Sequence, residues 1–244
     1  MVYMLDVAAI LSRKPFAVVA HRGASSYEPE NTLRAFRRAI DMEADMIEAD
    51  VRLSKDGVTV VIHDESLDRT TGVSGLVRDY TIDELRKLNA GLGERIPLLS
   101  EVLELVKDRI GFILEVKEVE ASIPSLELVE EMGMMKQVLF ASFHLDALRI
   151  IADSSRSAYL CLIYSKPGRQ LFEARDLGCI AVAPHYRLLS VESIASAHRL
   201  RLKVNPWTID DPETAIRVIE MGADAITTNK PDVIVSLKKS YVSR

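Results

Sequence analysis

The chain has 244 residues, 48% apolar and 27% charged, which is the composition of a globular protein with a sizeable core. Its net charge of -5 supplies no general basic field, so no nucleic-acid partner is expected and an anionic ligand needs a local source of positive charge. The two cysteines, Cys161 and Cys179, fall in apolar runs outside any Cys-x-x-Cys or Cys/His metal pattern, and they read as core residues of a reducing compartment.

The first residues, MVYMLDVAAILSRKP, carry no basic leader and no small-residue cleavage site, and they read as a short leading helix. No stretch approaches the roughly 18 apolar residues of a membrane span, so the expectation is a cytoplasmic protein without a transmembrane segment. Apolar, β-rich runs then recur at 16–20 (FAVVA), 46–53 (MIEADVRL), 58–62 (VTVVI), 111–116 (GFILEV), 138–143, 158–163, 180–184, 202–206 and 224–228. Helical patterns separate most of them. Leu33, Phe36 and Ile40 mark one apolar stripe, with Asn31 as its N-cap. Leu99, Val102, Leu103 and Val106 mark another; Val191, Ile194, Ala195 and His198 mark a third. Thr81 with Glu84 forms a capping box, and Asp211 before Pro212 gives a cap followed by proline at the first helical position.

Alternating strands and helices predict a parallel sheet with crossover helices. The connection 54–57 (SKDG) is too short for a parallel crossover, which takes about a dozen residues. Its Lys-Asp-Gly is hairpin chemistry, so 58–62 is expected antiparallel to 46–53, with Leu53 opposite Val58. Eight parallel strands remain. The expectation is a TIM (β/α)8 barrel of one domain, 1–244, with an extra antiparallel hairpin strand and a small cap insertion at 64–98.

The candidate chemistry sits at strand ends and on inward strand faces. His21-Arg22-Gly23 follows the first strand, where a barrel carries its catalytic face. Glu48 and Asp50 share one face of their strand, while Ile47, Ala49 and Val51 share the other. Buried salt bridges would explain two inward acids; so would a bound cation. The expected hairpin register places His63 opposite Glu48. Glu115 and Lys117 share a face in the same way. Three carboxylates in one mouth would protonate or repel an anion unless a divalent cation sat among them. All-oxygen ligands favour a hard ion, Mg²⁺ or Ca²⁺. Arg22 and Lys117 would then complete a positive environment, with two histidines beside it.

The stretches HRGASSYEPENTLRAF, IEADVRLSKDGVTVVIHDESLDRTT, IPLLSEVLELV, LEVK, ASF and PWTID resemble the glycerophosphodiester phosphodiesterase family from the first strand to the last. The resemblance implies a TIM barrel, a divalent metal and a small-molecule glycerophosphodiester substrate, hydrolysed to glycerol 3-phosphate and an alcohol. By motif position Glu48, Asp50 and Glu115 look like its metal ligands and His21 and His63 like its acid–base pair. Arg22 and Lys117 look like its phosphate contacts, and Trp207 like the residue at the glycerol end. Glu30 is a further acid near that site or a first-turn helix residue. Ser142 and Phe143 are placed at the mouth, whereas His144, His185 and His198 read as structural. One departure stands out: Asn229 occupies a position where the family more often carries aspartate. Two other readings remain, a lysophospholipase D acting on lysolipids and a metal- and phosphate-binding barrel without catalysis. No exposed aromatic stripe marks an oligomeric interface.

Overall fold

The computed structural model of the chain describes residues 5–242. Nine strands form one sheet: β1 (Ala17–Ala20), β2 (Met46–Leu53), β3 (Thr59–Val61), β4 (Gly111–Val116), β5 (Val138–Ser142), β6 (Tyr159–Tyr164), β7 (Ala181–Pro184), β8 (Lys203–Val204) and β9 (Ala225–Thr228). The order is β8-β7-β6-β5-β4-β2-β1-β9, parallel throughout, with β3 antiparallel on β2. The two end strands meet without a regular ladder. Asp224 N–H donates to Val204 O at 2.9 Å and Thr227 N–H to Pro206 O at 3.0 Å. The product is the expected TIM barrel, with helices between successive strands.

Side-chain alternation divides the core. Val18, Ile47, Ala49, Phe112, Leu114 and Phe140 point outward and pack under the helices. Val19, Met46, Ile113, Leu139, Cys161 and Ala181 point inward. The leading helix is shorter than the sequence suggests, Val7–Ile10, and its first four expected residues lie outside the described ones. Val7, Ile10 and Leu11 belong to the inward cluster, so this helix plugs the floor of the barrel. The segment 64–98 builds short helices, Asp68–Thr71 and Ile82–Leu85, and its Leu67, Val77, Leu85 and Ile96 pack in one apolar cluster with Val60 and Ile62 at β3.

Three local expectations are corrected. Leu53 pairs with Thr59, not with Val58. Gly57 takes a left-handed φ of 78° and donates its N–H to Ser54 O at 3.0 Å, while Ser54 and Val58 bond to each other. That closes a three-residue loop, Lys55-Asp56-Gly57, where four were expected, and a one-residue slip turns every later side chain over. Asn31 does not cap the helix Leu33–Asp41. Thr32 does, accepting Ala35 N–H at 3.1 Å, and it leaves the Asn31 side chain free for a different task. The stripe of the helix Val191–Arg199 is Ile194 and Ala197; Val191 is exposed, and His198 leaves the stripe to pair with Asp224 at the barrel floor. The capping box at Thr81 and the Asp211 cap with Pro212 are found as expected.

Gly23 shows how closely the first strand end and the next helix approach. It sits at φ 81°, and a Cβ there would lie 2.6 Å from the carbonyl carbon of Ala35. Neither the backbone angle nor the helix can give way cheaply. Gly23→Ala is expected to cost about 2–4 kcal/mol of stability, measured by denaturant unfolding. A loss below about 0.5 kcal/mol would show that the contact relaxes freely.

Candidate active site

At the C-terminal ends of the strands lies a cavity of about 150 Å³. His21, Arg22, Glu48, His63, Glu115, Lys117 and Trp207 all line it, and Asp50 lies directly beneath, fully buried. The chain thus brings together every site residue expected from the sequence. Ile113, Ala141, Cys161, Ile163 and Ala183 give the cavity an apolar floor.

The carboxylates come from neighbouring strands in register: Asp50 of β2 is opposite Glu115 of β4, with Glu48 one inward position earlier. One oxygen from each of Glu48, Asp50 and Glu115 falls within 4.8 Å of the others. Two cations meet them. Lys117 Nζ lies 2.6 Å from Glu115 and 3.4 Å from Asp50, and Arg22 Nε lies 3.2 Å from Asp50. The Arg22 backbone N–H donates to Glu48 at 2.9 Å, and the freed Asn31 side chain donates to Asp50 at 2.8 Å.

The balance remains one positive charge short. Burial, reinforced by Asp50 and Glu115, pushes the Glu48 carboxyl well above its usual range. Burial and Asp50 push Glu115 up to about 7, against the pull of Lys117. For Asp50 burial acts the same way, but Lys117, Arg22 and His63 outweigh it and hold the group at about 2. Among the described residues nothing donates a hydrogen bond to Glu48 Oε1 or Asp50 Oδ1, although both atoms are buried. Glu48 Oε1 is left without a partner and Asp50 Oδ1 with the Lys117 ammonium alone, 3.4 Å away, which fits a cation held by all three acids.

Two histidines flank the cluster, each tethered through Nδ1. His21 bonds Asn229 at 2.7 Å and His63 bonds Asp64 at 2.6 Å. Burial and Arg22 push His21 down to about 4. Burial, Lys117 and Arg22 also lower His63, against Asp50 and Asp64. His63 reaches the cavity by another route than the one expected. Its strand ends at Val61, the last rung is Ile62 N–H to Asp50 O at 3.0 Å, and the chain then turns to deliver the imidazole.

The other residues take varied places. Glu30 is neither a member of the carboxylate cluster nor helical. It bridges Arg22 at 3.0 Å and Arg69 of the cap segment at 2.7 Å, and Arg69 also donates to Asp64 at 2.5 Å. A chain of ion pairs thus runs from Arg22 to His63 through the cap. Trp207 donates its indole N–H to Ala183 O at 2.8 Å and packs edge-on to Phe143, 5.7 Å between ring centroids. Phe143 lines the cavity, whereas Ser142 is buried and donates to Val116 O. His185 stacks on Tyr186 and His198 pairs with Asp224. Sequence reasoning missed Asn31, Asp64, Arg69 and Asp210. Only Asp64 carried a signal, as the acid next to His63. The arrangement can hold a divalent cation, attract an anion with Arg22 and Lys117, and move protons through two imidazoles.

Comparison with known proteins gives this geometry a context. Residues 21–233 match the model of the glycerophosphoryl diester phosphodiesterase family. The chain is 36% identical over 237 residues to a glycerophosphodiester phosphodiesterase of Caldanaerobacter subterraneus subsp. tengcongensis, covering 90% of this chain and 96% of that one. A phosphodiesterase of Oleispira antarctica, solved in complex with the product sn-glycerol-3-phosphate, superposes with a TM-score of 0.84 at 29% identity, covering 93% and 97% of the two chains. A glycerophosphodiester phosphodiesterase of Thermotoga maritima does so at 0.81 and 32%, covering 92% and 99%.

Proposed function

The chain belongs to the glycerophosphoryl diester phosphodiesterase family, and from that premise we propose that it hydrolyses glycerophosphodiesters to glycerol 3-phosphate and an alcohol. One observation carries the reading: a buried three-carboxylate cluster short of one positive charge, walled by two cations and two tethered histidines.

Glu48, Asp50 and Glu115 would hold a divalent cation, Mg²⁺ or Ca²⁺, which would supply positive charge to stabilise the phosphate in the transition state. Arg22 and Lys117 hold the phosphate through its remaining oxygens. One histidine takes the proton of the attacking hydroxyl, and the other gives a proton to the leaving alkoxide. The attacker is water or the substrate's own glycerol 2-hydroxyl, which would give a cyclic phosphate first. The internal hydroxyl has the advantage of proximity. Trp207 and the apolar floor pack against the glycerol half.

A lysolipid carries its acyl chain on the glycerol half, on the side of Trp207 and Phe143. The groove beside Lys117, about 740 Å³ and lined by Arg52, Lys55, Glu65, Arg78, Glu118 and Glu120 among others, suits a polar leaving alcohol. The proposal takes the whole chain as one domain. It keeps a cytoplasmic location, which rests on two free, buried cysteines. Among the described residues no helix is long and apolar enough to cross a membrane.

The test is glycerol 3-phosphate release from glycerophosphocholine and glycerophosphoethanolamine, with EDTA, then with Mg²⁺ or Ca²⁺ restored. Loss of activity on chelation and recovery with one ion is the expected result, and it names the metal. Turnover of lysolipids alone would replace the proposed substrate class, and full activity in metal-free protein would remove the cation from the mechanism.

A further inference from the structure

We propose that Asp210 and Asn229 form a positioning pair that fixes the His21 proton on Nδ1 and leaves Nε2 as an open acceptor toward the cavity. The inference rests on the proposed function only for its catalytic meaning; the proton placement follows from the hydrogen bonds alone.

Asp210 lies in the loop after β8. An ionised carboxylate can only accept. Asp210 Oδ1 accepts Asn229 N–H at 2.7 Å and the Thr228 hydroxyl at 3.0 Å, and its Oδ2 accepts Asn229 Nδ2 at 2.8 Å. The Asn229 amide therefore cannot turn over without setting oxygen against oxygen. Its Oδ1 is left pointing at His21 Nδ1, 2.7 Å away, and it also lies 2.9 Å from the Ser25 hydroxyl. An amide oxygen has no proton to give. The bond exists only if Nδ1 carries hydrogen, and a neutral imidazole then has its lone pair on Nε2. The charged groups around His21 are Arg22, which disfavours a second proton, and Asp50 and Glu30, which favour one. Burial and Arg22 prevail, so the ring stays neutral at physiological pH.

His63 has the opposite support. Its Nδ1 meets a carboxylate, Asp64, itself held by Arg69, and a carboxylate stabilises the doubly protonated ring where an amide does not. The tether at His63 thus favours a second proton more than the amide at His21 does, although burial, Lys117 and Arg22 still lower its pKa, and this assigns His21 as the proton acceptor and His63 as the donor.

The experiment is 15N NMR of 15N-histidine-labelled protein in EDTA, with the His21 signals assigned by a His21→Gln variant, alongside kinetics of the metal-loaded enzyme. In the parent, His21 Nδ1 is expected to be protonated and Nε2 not, from about pH 6 to pH 9, since its pKa lies well below that range. Asp210→Asn touches neither His21 nor the cavity. It presents an amide NH₂ to Asn229, turns that amide over, and is expected to move the proton to Nε2. It should lower kcat by roughly 10²–10⁴-fold, the range lost with a general base, with KM nearly unchanged. Asp210→Asn with Asn229→Asp restores an acceptor facing His21 and a donor behind it, so it should recover both the Nδ1–H signal and much of kcat. A parent protein with its His21 proton on Nε2 overturns the proposal without any variant. An unaltered tautomer in Asp210→Asn, or no recovery of the signal in the swap, overturns it as well. Inactivity on glycerophosphodiesters with the expected spectrum would instead remove the substrate reading and leave the positioning pair standing.

Discussion

Replacing Glu48 by glutamine is expected to abolish most turnover while raising the melting temperature of the metal-free protein. The two effects share one cause. Glu48 stands in a buried cluster whose carboxylates exceed the nearby cations, and burial with Asp50 and Glu115 pushes its pKa well above the usual range. The unfolded chain ionises this group freely, so folding at neutral pH bears the cost of holding its proton or its charge. Glutamine removes that cost and can still accept the Arg22 N–H that Glu48 accepts at 2.9 Å. Each kcal/mol regained is worth about 2–4 °C in a chain of this size. Turnover should fall by roughly 10³-fold or more, since cation charge stabilisation amounts to several kcal/mol. Calorimetry in EDTA and the diester assay with added metal check the pair. A variant that melts lower in EDTA and stays active would mean that the cluster is no cation site.

The same cluster fixes a pH dependence. A carboxyl whose folded pKa is raised adds no penalty below its unfolded pKa and the full penalty above the folded one. For Glu115, at about 7, the window runs from about 4.5 to 7 and is worth on the order of 3 kcal/mol. Asp50 runs the other way: held at about 2, it stabilises above about 3.8 and that contribution is lost as pH falls through 2. Metal-free protein should therefore gain stability on acidification from pH 8 to about pH 5. Bound cation replaces the missing proton, so the metal-loaded protein should show the reverse slope.

The second large effect concerns the histidines. His21→Ala and His63→Ala are each expected to lower kcat by roughly 10²–10⁴-fold with small changes in KM, and the double variant to fall little further than the worse single. Leaving-group chemistry separates their roles. An alkoxide needs a proton as it departs and p-nitrophenolate does not. On a p-nitrophenyl diester of glycerol phosphate, His63→Ala should recover most of its loss, while His21→Ala should stay as impaired as on glycerophosphocholine. The opposite pattern would exchange the acceptor and donor.

Much of this site was legible because strand periodicity is a strong signal. The bounds of β2 and β4 follow from their apolar runs, and the alternation of Ile47, Ala49 and Val51 with Glu48 and Asp50 already aims both acids inward. The same holds for Glu115. What could not be read are partners joined by single hydrogen bonds across long stretches of chain. Arg69 reaches back 39 residues to Glu30, and Asn229 is 208 residues from His21. No periodicity announces such pairs. Asn31 and Thr32 are both N-cap residue types, and only the left-handed φ of Asn31, 56°, against the extended backbone of Thr32 gives the cap to Thr32. His63 lines the cavity although the hairpin register differs by one residue from the expected one. The turn beyond β3, invisible to ladder counting, delivers the side chain where the register would not.

The position of β1 between β2 and β9 bears on the order in which a ribosome delivers this molecule. β2 and β4, with all three acids, emerge early, but the neighbour on the other side of β1 begins only at Ala225. Through most of synthesis, Ala17–Ala20 presents one open, apolar backbone edge, the kind of edge that recruits other chains. A nascent chain stalled before β9 would already carry Glu48, Asp50 and Glu115 and would still be a substrate for chaperones.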